Sequence, residues 1–209
     1  MIQARKGITS LIARPIARGF LSLLFRLKVC GQDNLPLHNA FVLLPKHQRW
    51  EDIPLLDLAT PRSLHYVAKQ ELFKIPFFGW FLSALGGIPL NRSRPMESRH
   101  SLRVVQELLE GGEGVVVFPE GTYYRNRMGP GHVGLIRMIM SRSDAPFVPT
   151  GIRYEATRGH TEVRIEFGRP IYRGSSDNAC LTVDRIMEEI ALLSGFGVNE
   201  GVPPKYLDC

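Results

Sequence analysis

The sequence predicts an α/β fold: a layered sheet of about seven strands flanked by helices, with an N-terminal basic amphipathic helical arm. Three observations predict it. Short apolar runs rich in β-branched residues recur along the chain, Gly114-Val115-Val116-Val117-Phe118 being the plainest, and such runs read as buried strands. Segments of helical periodicity lie between them, and alternating strands and helices argue for a layered sheet. The excess charge sits at one end. Residues 1–30 hold six bases and no acids, so the rest of the chain balances 20 bases against 20 acids within the net +6.

At 209 residues the chain has the length of one domain. We divide it into an arm (1–28), an α/β domain (29–194) and a tail (195–209) loosened by Pro203-Pro204. The arm is rich in Ile, Leu and Phe from Ile8 to its end. Ser10, Arg14, Arg18, Ser22 and Arg26 recur every fourth residue, a polar stripe that slants round a helix. Its arginines are too frequent for the roughly 20 apolar residues of a membrane span. Pro15 either starts a helix or divides two short ones. A basic amphipathic helix suits an anionic leaflet, a reading preferred over core packing or a targeting peptide.

Strands are expected near 28–31, 40–44, 64–68, 86–90, 114–118, 147–152 and 162–167. In the last, Val163, Ile165 and Phe167 alternate with Arg164 and Glu166, the mark of a half-exposed edge strand. Helices are expected over 53–58, 98–110, 133–141 and 177–193. Leu102, Val105, Leu108 and Leu109 form the apolar stripe of the second, which Gly111-Gly112 ends. The most aromatic stretch, 72–82, contains Pro76 and Gly79, which argue against a long straight helix. It reads as a packed short helix or as an exposed patch that touches lipid.

Two strands deliver polar residues just beyond their ends, where α/β sheets bind ligands. Leu43-Leu44-Pro45 is followed by Lys46-His47, and Val117-Phe118-Pro119 by Glu120-Gly121-Thr122. Proline stops the ladder, and glycine lets backbone approach a ligand. His47 and Asp52 are the candidate catalytic pair. A histidine beside a carboxylate can take a proton from a hydroxyl group while the carboxylate fixes its tautomer and offsets its developing charge. The spacing alone recurs by chance in many proteins; the second cluster gives it weight.

Four motifs in order then resemble the glycerolipid acyltransferase family of the 1-acylglycerol-3-phosphate acyltransferase type. His47 to Asp52 matches its His-x4-Asp motif, and Gly87-Ile88-Pro89-Leu90-Asn91-Arg92 its second block. Phe118-Pro119-Glu120-Gly121-Thr122 matches the third motif, and Phe147-Val148-Pro149-Thr150-Gly151 the fourth. The resemblance implies transfer of a fatty acyl chain from acyl-CoA or acyl-carrier protein to a lysolipid hydroxyl. It makes His47 the general base, oriented by Asp52. It also makes Arg92 a ligand of the acceptor phosphate, with Glu120, Gly121 and Thr122 shaping the same site. Where the family has Arg-Ser after the threonine, this chain has Tyr123-Tyr124, with Arg125 beyond. Arg125 is the candidate for the displaced guanidinium, and a lysophospholipid with a larger head group, or a lyso-aminolipid, becomes an alternative acceptor. The implied setting is peripheral or monotopic association with an anionic membrane surface, on the cytoplasmic face of the inner membrane.

Other chemistries lack their signatures. Cys30, Cys180 and Cys209 form no Cys-x-x-Cys pair, and neither a metal nor a cofactor is expected. There is no Gly-x-Ser-x-Gly elbow and no P-loop. Nucleic acid is not expected as a partner, because the bases of the arm alternate with aliphatic residues and the remainder is neutral.

Overall fold

The computed structural model describes residues 21, 24–91, 99–173 and 178–196. Among them seven strands form one sheet: β1 (Phe25–Cys30), β2 (Phe41–Pro45), β3 (Leu64–Lys69), β4 (Ile88–Leu90), β5 (Gly114–Val117), β6 (Phe147–Ala156) and β7 (Thr161–Phe167). Their order across the sheet is β1-β7-β6-β2-β5-β3-β4. β6 and β7 form an antiparallel hairpin, and the other neighbouring pairs run parallel. Five helices flank it: α1 (Asp52–Ala59), α2 (Phe78–Ala84), α3 (Arg99–Glu110), α4 (Val133–Met140) and α5 (Ala179–Leu193). This is the α/β architecture that the alternating pattern predicts.

The pleat sorts the core into two layers. Successive side chains of a strand point to opposite faces. Val42 and Leu44 of β2, with Val115 and Val117 of β5, pack beside residues of α3, α4 and α5, such as Val105, Ile136 and Ile186. Phe41, Leu43 and Val116 join the opposite cluster with Ile53, Leu55 and Leu56 of α1. Strands covered on both faces read as continuous apolar runs, which is why the central ones stand out in the sequence. At Gly151 a β-carbon would come within 2.4 Å of the Leu193 backbone, so the end of α5 rests on β6 only because that position is glycine.

Three expectations are corrected. β7 is not an edge strand: it lies between β1 and β6, with Leu27 opposite Val163 and Val29 opposite Ile165. Its alternation reflects one covered face and one open face, which an inner strand of a half-covered sheet shows equally well. The edge is β1, where Lys28 pairs with Glu162 at 2.8 Å. Residues 25–27, assigned to the arm, belong to that strand, because Phe25, Leu27 and Val29 alternate with Arg26 and Lys28 and the period of two prevails. The aromatic stretch 72–82 is divided between core and surface: Leu82 is buried while Phe77 is 88% and Trp80 71% exposed. Most of the arm (1–20 and 22–23) and the tail from 197 lie outside the described residues. Among the described residues no helix is long and apolar enough to cross a membrane.

Candidate active site

β2 and β5 are adjacent and parallel, with Leu43 opposite Val116, so the loops leaving their C-terminal ends meet. After Pro45 one more ladder bond, from the Lys46 N–H to the Thr150 carbonyl at 2.9 Å, carries the chain to the sheet's rim. There it turns into α1. Pro54 falls in that helix's first turn, where its missing N–H leaves nothing unpaired.

Asp52 organises the turn. Its fully buried carboxylate accepts the backbone N–H of Gln48 at 2.7 Å and of Arg49 at 2.8 Å through Oδ2. The same oxygen lies 3.0 Å from His47 Nδ1. With a carboxylate there, Nδ1 carries the proton and Nε2 keeps a free lone pair. Among the described residues nothing hydrogen-bonds to Nε2. The imidazole is stacked on Phe118, ring centres 3.7 Å apart, and Tyr123 lies 4.3 Å away on a tilted plane.

The other carboxylate oxygen, Oδ1, accepts the Tyr154 hydroxyl at 2.6 Å. Burial first, and then the charge of Asp52, push the Tyr154 phenol far above its ordinary value. It therefore remains a donor throughout the physiological range. The linkage has a definite sign. Above about pH 10 an unfolded tyrosine ionises while Tyr154 in the fold does not, so the stability present below that pH is lost as pH rises further. Tyr154→Phe is expected to remove a component of about 1.4 kcal/mol per pH unit from that decline. Urea unfolding of both proteins between about pH 9 and pH 11 measures it; parallel curves would count against the shielded phenol.

A second buried carboxylate holds the loop from beneath. Glu120, fully buried, accepts Lys46 Nζ at 2.8 and 2.7 Å, the His47 N–H at 2.9 Å and the Gly129 N–H at 2.6 Å. Lys46 Nζ also donates to the carbonyls of His47 and Tyr124. Burial lowers the Lys46 pKa, and the charge of Glu120 opposes it. Gln48 ties the same loop to its neighbours, donating to the Ile152 carbonyl at 2.7 Å and accepting the Asn126 N–H at 2.9 Å. Gly129 is glycine because the Tyr124 ring covers it, 2.2 Å from where a β-carbon would stand.

The comparisons with known proteins fall on this same region. The family model described as Acyltransferase matches residues 26–153, a span from β1 through β6 that includes both loops. The chain belongs to the Acyltransferase family. A chloroplastic 1-acyl-sn-glycerol-3-phosphate acyltransferase of Brassica napus is 30% identical over 182 residues, covering 81% of this chain and 52% of that relative. A 1-acyl-sn-glycerol-3-phosphate acyltransferase of Bacillus subtilis is 38% identical over 103 residues, covering 49% of this chain and 51% of that relative. The chain thus spans about half the length of these curated relatives. The crystal structure of the 1-acyl-sn-glycerophosphate acyltransferase PlsC from Thermotoga maritima superposes with a TM-score of 0.65 at 26% identity, covering 90% of this chain and 81% of that one.

The acyltransferase motifs converge as follows. His47, Asp52 and Glu120 are brought together, and Gly121 closes the turn after β5 with φ 68° and its N–H on the Phe118 carbonyl. Thr122 and Arg125 lie exposed on the loop that follows. Arg92 lies outside the described residues. Glu120 faces inward, its oxygens filled by protein donors. Tyr154, Lys46 and Gln48 escaped the sequence reading. Lys46 had one signal, a lysine placed directly after a strand buried on both faces. No group of three His, Cys, Asp or Glu among the described residues is placed to hold a metal.

Proposed function

We propose that this protein transfers a fatty acyl chain from acyl-CoA or acyl-carrier protein to the free hydroxyl of 1-acylglycerol-3-phosphate, giving phosphatidic acid. The observation that carries the reading is the His47–Asp52 contact of 3.0 Å, with Nε2 left uncommitted among the described residues. The relatives' activity supports the choice of substrates.

A thioester is already activated, so no covalent intermediate on the protein is required. Nε2 of His47 removes the acceptor's hydroxyl proton as its oxygen attacks the thioester carbon. Asp52 balances the imidazolium that forms. The tetrahedral intermediate collapses with loss of the thiolate, which takes the proton from His47. The N–H groups of Thr122 and Tyr123 have no partner among the described residues, and we assign them to the oxyanion. Arg92 and Arg125 bind the acceptor phosphate, for which the planar guanidinium fork is suited. Glu120 acts by positioning, while Gly121 and Thr122 shape the mouth.

An apolar groove of about 720 Å³ between β1 and α1 is lined by Leu21, Phe25, Leu27, Val29, Leu55 and Leu58. Phe25 meets the Tyr154 ring edge-on at 6.4 Å, and Tyr154 binds Asp52, so the groove begins one side chain from the catalytic pair. We assign it to an acyl chain. The reaction is placed at an anionic membrane surface, on the cytoplasmic face of the inner membrane. Tyr123, half-exposed against His47, favours a second reading with a larger lysophospholipid head group as acceptor.

The test is thiol release from palmitoyl-CoA in mixed micelles, with and without lysophosphatidic acid. Release that depends on the acceptor is the expected result. Acceptor-independent release would make the protein a thioesterase, and no release with any lysolipid and either donor would overturn the enzymatic reading.

A further inference from the structure

The rim of the sheet around the catalytic pair has an unusual surface. Exposed large apolar side chains are commonplace singly, but a contiguous group calls for an explanation. Five of them sit in the loops that leave the C-terminal ends of β2, β3 and β5 or in the helix that follows: Trp50, Ile75, Phe77, Trp80 and Tyr123. These strands are adjacent and parallel, so their exits share one end of the sheet, that of His47 and Asp52.

Phe77 is the extreme member. It is 88% exposed and adopts φ 60°, ψ −48°, a strained conformation for a residue with a side chain. Pro76 before it and Gly79 after it, the latter packed against the Phe73 carbonyl, hold the turn rigidly. Burial within the fold does not explain a strained backbone that sends a phenylalanine into solvent. The charges at this end complete the picture. Arg49, Lys69, Lys74, Arg125 and Arg127 stand on the same three connections, against Glu51 and Glu71. Aromatic residues flanked by bases fit the headgroup region of an anionic bilayer, where rings enter the interface and ammonium and guanidinium groups meet phosphate.

We propose that the turn carrying Ile75, Phe77 and Trp80 is a membrane-docking surface that seats the mouth of the site on an anionic bilayer. Its purpose rests on the reading of that site as one that takes a lipid acceptor, which then need not leave the membrane to reach His47. The surface belongs to the α/β domain itself and acts in addition to any contact made by the N-terminal arm.

The experiment reads docking without reading turnover, so failure of the catalytic reading leaves it standing. The chain has two tryptophans, Trp50 and Trp80. The full chain with Trp50→Phe reports from Trp80 alone. With vesicles of equimolar phosphatidylcholine and phosphatidylglycerol, Trp80 emission should shift to the blue and be quenched by lipids brominated on the acyl chain. Adding Phe77→Glu should weaken vesicle binding by about tenfold or more and abolish the quenching; the exposed position makes this change compatible with folding, which circular dichroism checks. Vesicle binding with Trp80 unquenched would overturn the proposal, as would equal binding to neutral vesicles. So would a Phe77→Glu variant that binds vesicles normally but no longer accepts a carrier-borne thioester, since the patch would then dock a protein.

Discussion

His47→Ala is expected to lower kcat about a thousandfold or more while the chain stays folded. The two halves of this expectation have separate grounds. Turnover falls because among the described residues no other group stands where Nε2 does, and the acceptor hydroxyl must lose a proton as it attacks. The fold survives because the loop is held by its backbone and not by the imidazole. The His47 N–H still donates to Glu120, its carbonyl still accepts the Tyr124 N–H at 2.9 Å, and Asp52 keeps the N–H groups of Gln48 and Arg49 and the Tyr154 hydroxyl. The stacking on Phe118 is lost, a cost of about 1 kcal/mol. Acceptor-dependent thiol release and urea unfolding on the same preparation separate the two. Turnover within tenfold of wild type would remove His47 from the role of base. Asp52→Asn is a poorer test, because an amide in place of the carboxylate sets a donor against the N–H and O–H groups that Asp52 now accepts.

Sequence legibility followed burial and chain distance. β2, β3 and β5 are covered on both faces, and the uninterrupted apolar runs this demands could be read directly. β1 was harder, since its alternating Phe25, Leu27 and Val29 were overlaid by a fourfold spacing of arginine and serine that imitates a helix. The catalytic pair was legible because both members lie within one turn of chain. Tyr154 was not: it stands 102 residues beyond Asp52, and only the parallel register of β2 with β6, Leu44 opposite Pro149, brings it there. The resemblance placed Glu120 at the substrate, whereas its carboxylate is filled from within. A motif records that a residue type recurs at a place and says nothing of which way the side chain turns.

Lys46→Met should be the most damaging change to stability near the site. Lys46 and Glu120 are both fully buried and pair at 2.7 Å. Removing the ammonium strands a carboxylate with only two backbone N–H partners, a loss of about 3–5 kcal/mol at neutral pH. The stranded group escapes by taking up a proton, so in the variant its folded pKa lies above the roughly 4.3 of an unfolded glutamate. The sign follows: the variant regains stability as pH falls toward that value and loses it as pH rises through the folded pKa. Unfolding at about pH 5 and about pH 7 should therefore show a smaller deficit at the lower pH. Adding Glu120→Gln removes the stranded charge and should recover about 2 kcal/mol or more, a coupling read from the double-mutant cycle. Turnover should not recover with it. A glutamine has one acceptor oxygen, and it cannot accept both the His47 and the Gly129 N–H in the bridging geometry that two carboxylate oxygens allow. If kcat returned together with stability, the pair would be holding the fold and not the base, and the positioning role of Glu120 would be withdrawn.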